Sequence, residues 1–262
     1  IKNLNIQGTE NMVFEDHGLI STVEGVGLSG TAAIIDHVTL KSGTKTTKSG
    51  LVGATMTTNP YAAASGGFVT YITNCVVEEG CIIGVNGDQD KIGGIAGRLI
   101  CEIDNCEVSA TVKGKNFVGG ILATCDNAMG PAGVTNSAFH GTVISTGRNA
   151  GGIVGGGYEN ETAPNGMRIK LENNTVDGTV KGVKNVGGIQ GGDEFVAQSW
   201  GATSVINNTF TGKVEGTENV GAIIGFYDSL NKFNNVSGNL YAADCGADKG
   251  IGAVKYIDTN YA

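Results

Sequence analysis

The stretch Ile103-Asp104-Asn105-Cys106-Glu107-Val108-Ser109-Ala110-Thr111-Val112 recurs down the chain with small changes. Val134-Thr135-Asn136-Ser137-Ala138-Phe139-His140-Gly141-Thr142-Val143 and Leu171-Glu172-Asn173-Asn174-Thr175-Val176-Asp177-Gly178-Thr179-Val180 keep its shape, and a fourth copy runs from Val205 through Asn207, Phe210 and Gly212 to Val214. Six or seven residues further on, each copy is followed by a glycine motif: Gly119-Gly120-Ile121, Gly151-Gly152-Ile153, Gly187-Gly188-Ile189 or Gly221-Ala222-Ile223. Self-similarity at such a spacing marks a solenoid, a propeller or an array.

The period inside each unit chooses among them. Apolar residues fall at alternate positions, as in Val108, Ala110 and Val112, which is strand periodicity and not the 3.6 of a helix. The motif begins at Gly93, Gly119, Gly151, Gly187 and Gly221, so the steps are 26, 32, 36 and 34 residues. A propeller blade needs four strands and about 40 residues; these units supply two or three short strands. The expected fold is therefore all-β, a parallel β-helix, right-handed, formed as a single domain over residues 1–262. Weaker copies before Gly93 and after Gly221 bring the count to about eight coils, an axis of roughly 35 to 40 Å at the strand spacing. Ile1 already lies inside a repeat, so we expect a longer native chain with further coils or a cap before it.

Stacked coils put equivalent residues over one another. Asn74, Asn105, Asn136, Asn173 and Asn207 are expected to form one ladder of hydrogen-bonded amides. The adjoining column reads Asp36, Cys75, Cys106, Ser137, Asn174, Asn208, Asn234, and Cys81 is placed in the inward column of Val112, Val143, Val180 and Val214. The 44 glycines, against 3 prolines, fit corners that need positive φ or close backbone approach.

Gly50-Leu51-Val52-Gly53, Gly94-Ile95-Ala96-Gly97, Gly152-Ile153-Val154-Gly155 and Gly188-Ile189-Gln190-Gly191 resemble the GLUG motif, a short repeat of large bacterial surface proteins, including adhesin-like proteins and immunoglobulin-A-degrading metalloproteases. The resemblance covers most of the chain. It implies an extracellular or cell-surface setting and a β-helical stalk or binding module, and carries no reaction with it. The protease zinc signature His-Glu-x-x-His is absent, the histidines being His17, His37 and His140.

Composition narrows the remaining chemistry. A net charge of −8 with 16% charged residues and no basic run argues against a nucleic-acid partner. No apolar stretch approaches the ~20 residues of a membrane span. Gly25-Val26-Gly27-Leu28-Ser29-Gly30 matches a dinucleotide-binding pattern but opens no helix. The six cysteines show no zinc spacing; the plain reading is small buried residues, with a Cys75–Cys106 disulfide as the alternative.

Local function belongs in the unlike segments between repeats, 124–133, 156–168, 192–203 and 226–231, which share one corner. They carry Tyr158, Asp193, Glu194, Tyr227 and the single tryptophan, Trp200. Aromatic faces beside carboxylates suit a sugar ring, so this corner is the candidate binding site for a glycan or a host surface protein. Asp88 and Asp90 space oxygen atoms as calcium loops do, without the full twelve-residue pattern, and calcium is the one cofactor considered. The leading reading is a non-enzymatic structural or binding module. The alternative is a β-helical carbohydrate-active enzyme, a polysaccharide lyase or glycoside hydrolase, with Asp193 and Glu194 as its acids.

Overall fold

A computed structural model describes residues 2–7, 13–14, 18–25, 32–57, 69–99, 101–125, 132–157, 169–192, 204–228 and 235–255. Within them the chain winds as a parallel β-solenoid. One coil runs through five short strands, Cys101–Asp104, Glu107–Val108, Thr111–Gly114, Val118–Gly119 and Leu122–Cys125. Each pairs in parallel with its counterpart in the next coil, so Ile103 lies on Val134, Val108 on Phe139, Val112 on Val143, Gly119 on Gly151 and Leu122 on Val154. The first and second strands of successive coils merge into a 14-stranded sheet, the third build a 7-stranded, the fourth a 5-stranded and the fifth an 8-stranded sheet. All faces coexist over about five coils, fewer than the eight expected, because among the described residues the outer repeats show no fourth strand.

The core is a set of apolar columns. Ile72, Ile103, Val134, Leu171 and Val205 stack behind the first strands; Val77, Val108, Phe139, Val176 and Phe210 behind the second; Ile83, Val112, Val143, Val180 and Val214 behind the third, all buried. Removing this apolar area from water drives the coil closed, at about 25 cal/mol per Å².

The corners divide their labour between two residue types. At the first corner His37, Asn74, Asn105, Asn136, Asn173 and Asn207 adopt positive φ between 50° and 58°, and Gly238 ends the column. Asparagine is the non-glycine residue that takes this conformation most cheaply. The asparagines share one column, with amide–amide bonds at two of its steps. Asn105 Nδ2 donates to Asn74 Oδ1 at 2.7 Å and Asn173 Nδ2 to Asn136 Oδ1 at 3.3 Å, while Asn136 Nδ2 turns to Asp104 Oδ1 at 2.7 Å. The motif glycines, by contrast, have no positive φ. In Gly187-Gly188-Ile189-Gln190-Gly191, a Cβ on the first glycine would overlap the Gln190 carbonyl, one on the second the Ala222 carbonyl of the next coil, and one on Gly191 the Gly155 carbonyl and Ala150 nitrogen of the preceding coil. Close approach, not backbone freedom, selects glycine there.

The adjoining column is buried, and its ends differ from the expectation. Register places Val38 and Asn239 where Asp36 and Asn234 were read, since Thr39 lies on Val76 and Ile206 on Ser237; Asn234 falls outside the described residues. Cys81 is likewise corrected: Ile83 lies on Val112, so Cys81 sits two positions earlier, beside Ala110. The outer repeats carry too few motif residues to fix register by eye. The interior of the column is directional. Ser137 N–H donates to Asn174 Oδ1, Asn174 N–H to Asn208 Oδ1 and Asn208 N–H to Asn239 Oδ1, at 3.0, 3.0 and 2.9 Å. The same amides return hydrogen bonds to Val134 and Leu171 carbonyls, each at 2.8 Å. They replace the ladder bonds that the positive-φ corner interrupts.

One core position breaks the pattern. The inward column of the fifth strands reads Ala96, Leu122, Val154, Gln190, Ile224, Ile251. Gln190 is fully buried, and neither its Oε1 nor its Nε2 has a protein partner. Gln190→Leu is expected to raise stability by roughly 1 to 3 kcal/mol, the cost of an unsatisfied buried amide. Urea unfolding measures it, and a midpoint equal to or below that of the parent protein contradicts it.

Candidate functional site

The candidate corner is defined by its stems. The fifth strands Val52–Thr57, Leu122–Cys125, Val154–Gly157, Gln190–Gly192 and Ile224–Asp228 belong to one sheet, and the chain next enters the first strands Val69–Thr73, Ala132–Thr135, Ile169–Glu172, Ser204–Ile206 and Asn235–Ser237 of another. Every long unlike segment thus joins the same two faces, as the sequence indicated. Tyr158, Asp193, Glu194 and Trp200 lie outside the described residues. Tyr227 is described, half-buried and packed against the core at the last fifth strand but one. The strands that flank these segments lie on coils about 4.8 Å apart, the spacing of parallel strands.

Beside these stems runs a second corner column that the sequence reading missed: Lys91, Phe117, Asn149, Asn185 and Asn219, with φ of 55° to 63°. Asn219 Nδ2 donates to Asn185 Oδ1 and Asn185 Nδ2 to Asn149 Oδ1, both at 2.8 Å. Asn149 Nδ2 ends the run buried and without a partner, at the level where Phe117 replaces an amide. The Arg148 guanidinium stands 5.5 Å from the Phe117 ring centroid, a cation–π distance. The signal was in the sequence: Asn149-Ala150-Gly151-Gly152, Asn185-Val186-Gly187-Gly188 and Asn219-Val220-Gly221 extend the glycine motif two residues toward the N-terminus.

Several acids on the described faces are engaged with neighbouring coils. Asp36 Oδ1 accepts hydrogen bonds from Thr73 Oγ1 and Asn74 Nδ2, each at 2.8 Å, and lies 2.9 Å from His37 Nδ1. Asp104 repeats the arrangement with Thr135 and Asn136 at 2.6 and 2.7 Å, and Glu172 accepts from Ser204 Oγ at 2.8 Å. The Asn74 amide, His37 and the Thr73 hydroxyl hold the Asp36 carboxyl well below the usual carboxylate range. Lys41 also lowers the pKa of Glu78, and Lys213 that of Asp244.

A depressed folded pKa gives stability that is present above the unfolded value, about 3.9 for aspartate, and lost as pH falls toward the folded one. The thermal midpoint is therefore expected to hold level from neutral pH and fall below about pH 4. Asp36→Asn should flatten that fall. A midpoint that rises on acidification contradicts this assignment.

At the calcium candidate, Asp90 Oδ1 accepts the backbone and side-chain N–H of Asn116 at 3.2 and 3.0 Å. Asn116 Oδ1 in turn accepts from Arg148 N–H at 3.1 Å, so Asp90 begins a brace across three coils. Asp88 is exposed, its Oδ1 3.5 Å from Gln89 Nε2. Among the described residues no three His, Cys, Asp or Glu side chains gather as metal ligands. His140, on an outer face, lies 2.7 Å from Asp177 Oδ1 and 3.9 Å from Glu107 Oε1, and is exposed. No helix among the described residues is long and apolar enough to cross a membrane. The chain matches no protein-family model, no curated protein and no solved structure.

Proposed function

We propose that this protein is a non-enzymatic structural and binding module of a bacterial surface or secreted protein, which presents a row of insertion loops to a glycan or host protein. The observation that carries the reading is the common stem: segments of unlike sequence connect like strands of the same two faces on successive coils. Ladders place like beside like, whereas a catalytic centre requires unlike groups converging on one point. Asp36, Asp104 and Glu172 on the repeated faces serve as braces between coils. Two unlike segments from adjacent coils, 156–168 and 192–203, carry Tyr158, Asp193, Glu194 and Trp200, residue types whose rings stack on sugar faces and whose carboxylates take hydroxyls. The GLUG-like Gly152-Ile153-Val154-Gly155 and its copies support the extracellular setting.

A polysaccharide screen read for both binding and new reducing or unsaturated ends tests this. Saturable binding without new ends is expected, and Trp200→Ala should weaken it by about 1 to 3 kcal/mol at an unchanged thermal midpoint. Binding indifferent to Trp200→Ala removes the site. New chain ends that disappear in Asp193→Asn or Glu194→Gln would make the protein a carbohydrate-active enzyme instead.

A further inference from the structure

The buried brace column changes chemistry at one end. From Cys106 onward each backbone N–H at the first corner donates to an oxygen of the next coil: Cys106 N–H to Ser137 Oγ, then Ser137 N–H to Asn174 Oδ1, both at 3.0 Å. Between the preceding pair of coils the acceptor is sulfur, Cys75 N–H to Cys106 Sγ at 3.4 Å, a weak link. Register sets the two cysteines opposite each other on adjacent coils, since Thr73 lies on Asp104 and Val76 on Glu107, with Cys75 Sγ donating to Thr73 O at 3.2 Å and Cys106 Sγ to Asp104 O at 3.4 Å. Both are buried and both are free thiols. Directly opposed residues of parallel strands lie about 4.8 Å apart, within the roughly 4.4 to 6.8 Å that a disulfide spans between Cα atoms. No other cysteines are so placed among the described residues: Cys101 lies on Thr70, Cys125 on Leu99 and Gly157, Cys81 beside Ala110, and Cys245 against Val214.

We propose that Cys75 and Cys106 are an oxidation site, closing an inter-coil disulfide by exchange with a small-molecule disulfide. The Cys75 thiolate attacks one sulfur of the reagent and releases its other half as a thiolate. The Cys106 thiolate then displaces the half left on Cys75. Two thiol protons leave the protein, and its two electrons reduce the small disulfide to two thiols. Its pairing with Cys106 lowers the Cys75 pKa, whereas the same pairing and burial raise that of Cys106, so the first attack is assigned to Cys75. The product turns a weak brace of the column into a covalent one, fastening two coils across a loop of about 30 residues, a length at which disulfides stabilise.

The test uses folded protein held just below its unfolding midpoint with oxidised glutathione, where local opening admits the reagent, followed by denaturation, alkylation and peptide mass analysis. Two of the six thiols should become unreactive, in one linked peptide pair containing Cys75 and Cys106. Cys75→Ser and Cys106→Ser should each abolish the link without unfolding the chain, because Ser137 already occupies this column. Cys245→Ser should leave the link intact. Six reactive thiols after exchange, a link joining another pair, or a glutathione adduct on Cys75 that Cys106 never displaces would each overturn the proposal.

Discussion

Gly188→Val is expected to destabilise the solenoid by about 3 kcal/mol or more, the upper range for overpacking, or to prevent folding. A side chain at this position points at the Ala222 carbonyl and the Phe210 ring. Neither can yield. The carbonyl belongs to a backbone fixed by Gly188 N–H to Gly221 O at 3.2 Å and Ile189 N–H to Ile223 O at 3.0 Å, and Phe210 is fully buried. Relief would require neighbouring coils to separate, breaking these bonds along the column. The same column holds Gly94, Gly120 and Gly152 but accepts Ala222, where the next coil contributes only the turn around Lys249. Denaturant unfolding followed by circular dichroism measures the loss, and an unchanged midpoint contradicts it.

The second large effect separates two adjacent asparagines. Asn174→Ala leaves the Ser137 N–H and the Val134 carbonyl without their partners inside the core, each worth about 1 to 3 kcal/mol when unsatisfied. Asn173→Ala removes an exposed amide and forces alanine into positive φ, a cost of roughly 1 to 2 kcal/mol. Asn174→Ala should therefore be the more damaging, and hydrogen exchange at the Ser137 amide should accelerate in that variant alone. Equal losses, or a larger one for Asn173→Ala, would refute the division between corner residue and buried brace.

That division marks where the sequence stopped being legible. Alternation in Val108, Ala110 and Val112, together with the recurring glycine motif, was enough for parallel strands, stacked coils and a common corner for the insertions, because one buried column per strand fixes a period of two. The asparagine column was legible as a ladder, but its physical role was not. Asn105, Asn136, Asn173 and Asn207 repeat because the backbone turns left-handed there, while the buried amides belong to Asn174 and Asn208. A sequence shows that both positions are polar, not which one points inward. Column ends were misread for a related reason: Val38 and Asn239 lie in coils whose glycines and valines have drifted, and register there follows only from strand pairing. Phe117 hid the second corner column by replacing its asparagine. Gln190 gave no warning, since its position reads as one more residue of a glycine motif. At the candidate site, composition singled out Trp200, Tyr158, Asp193 and Glu194, and pairing confirms the shared stems beneath them, whereas loops of unlike sequence have no column mates from which a conformation could be read.

Crystallographic electron density for the chain tests the register most directly. Asn105, Asn136, Asn173 and Asn207 should fall in one line along the solenoid axis, with Ser137, Asn174 and Asn208 in a parallel line inside it, each accepting the preceding coil's N–H at about 3 Å. Density that places these asparagines on different faces, or turns Asn174 to solvent, would contradict the stacked-coil scaffold on which the binding corner rests.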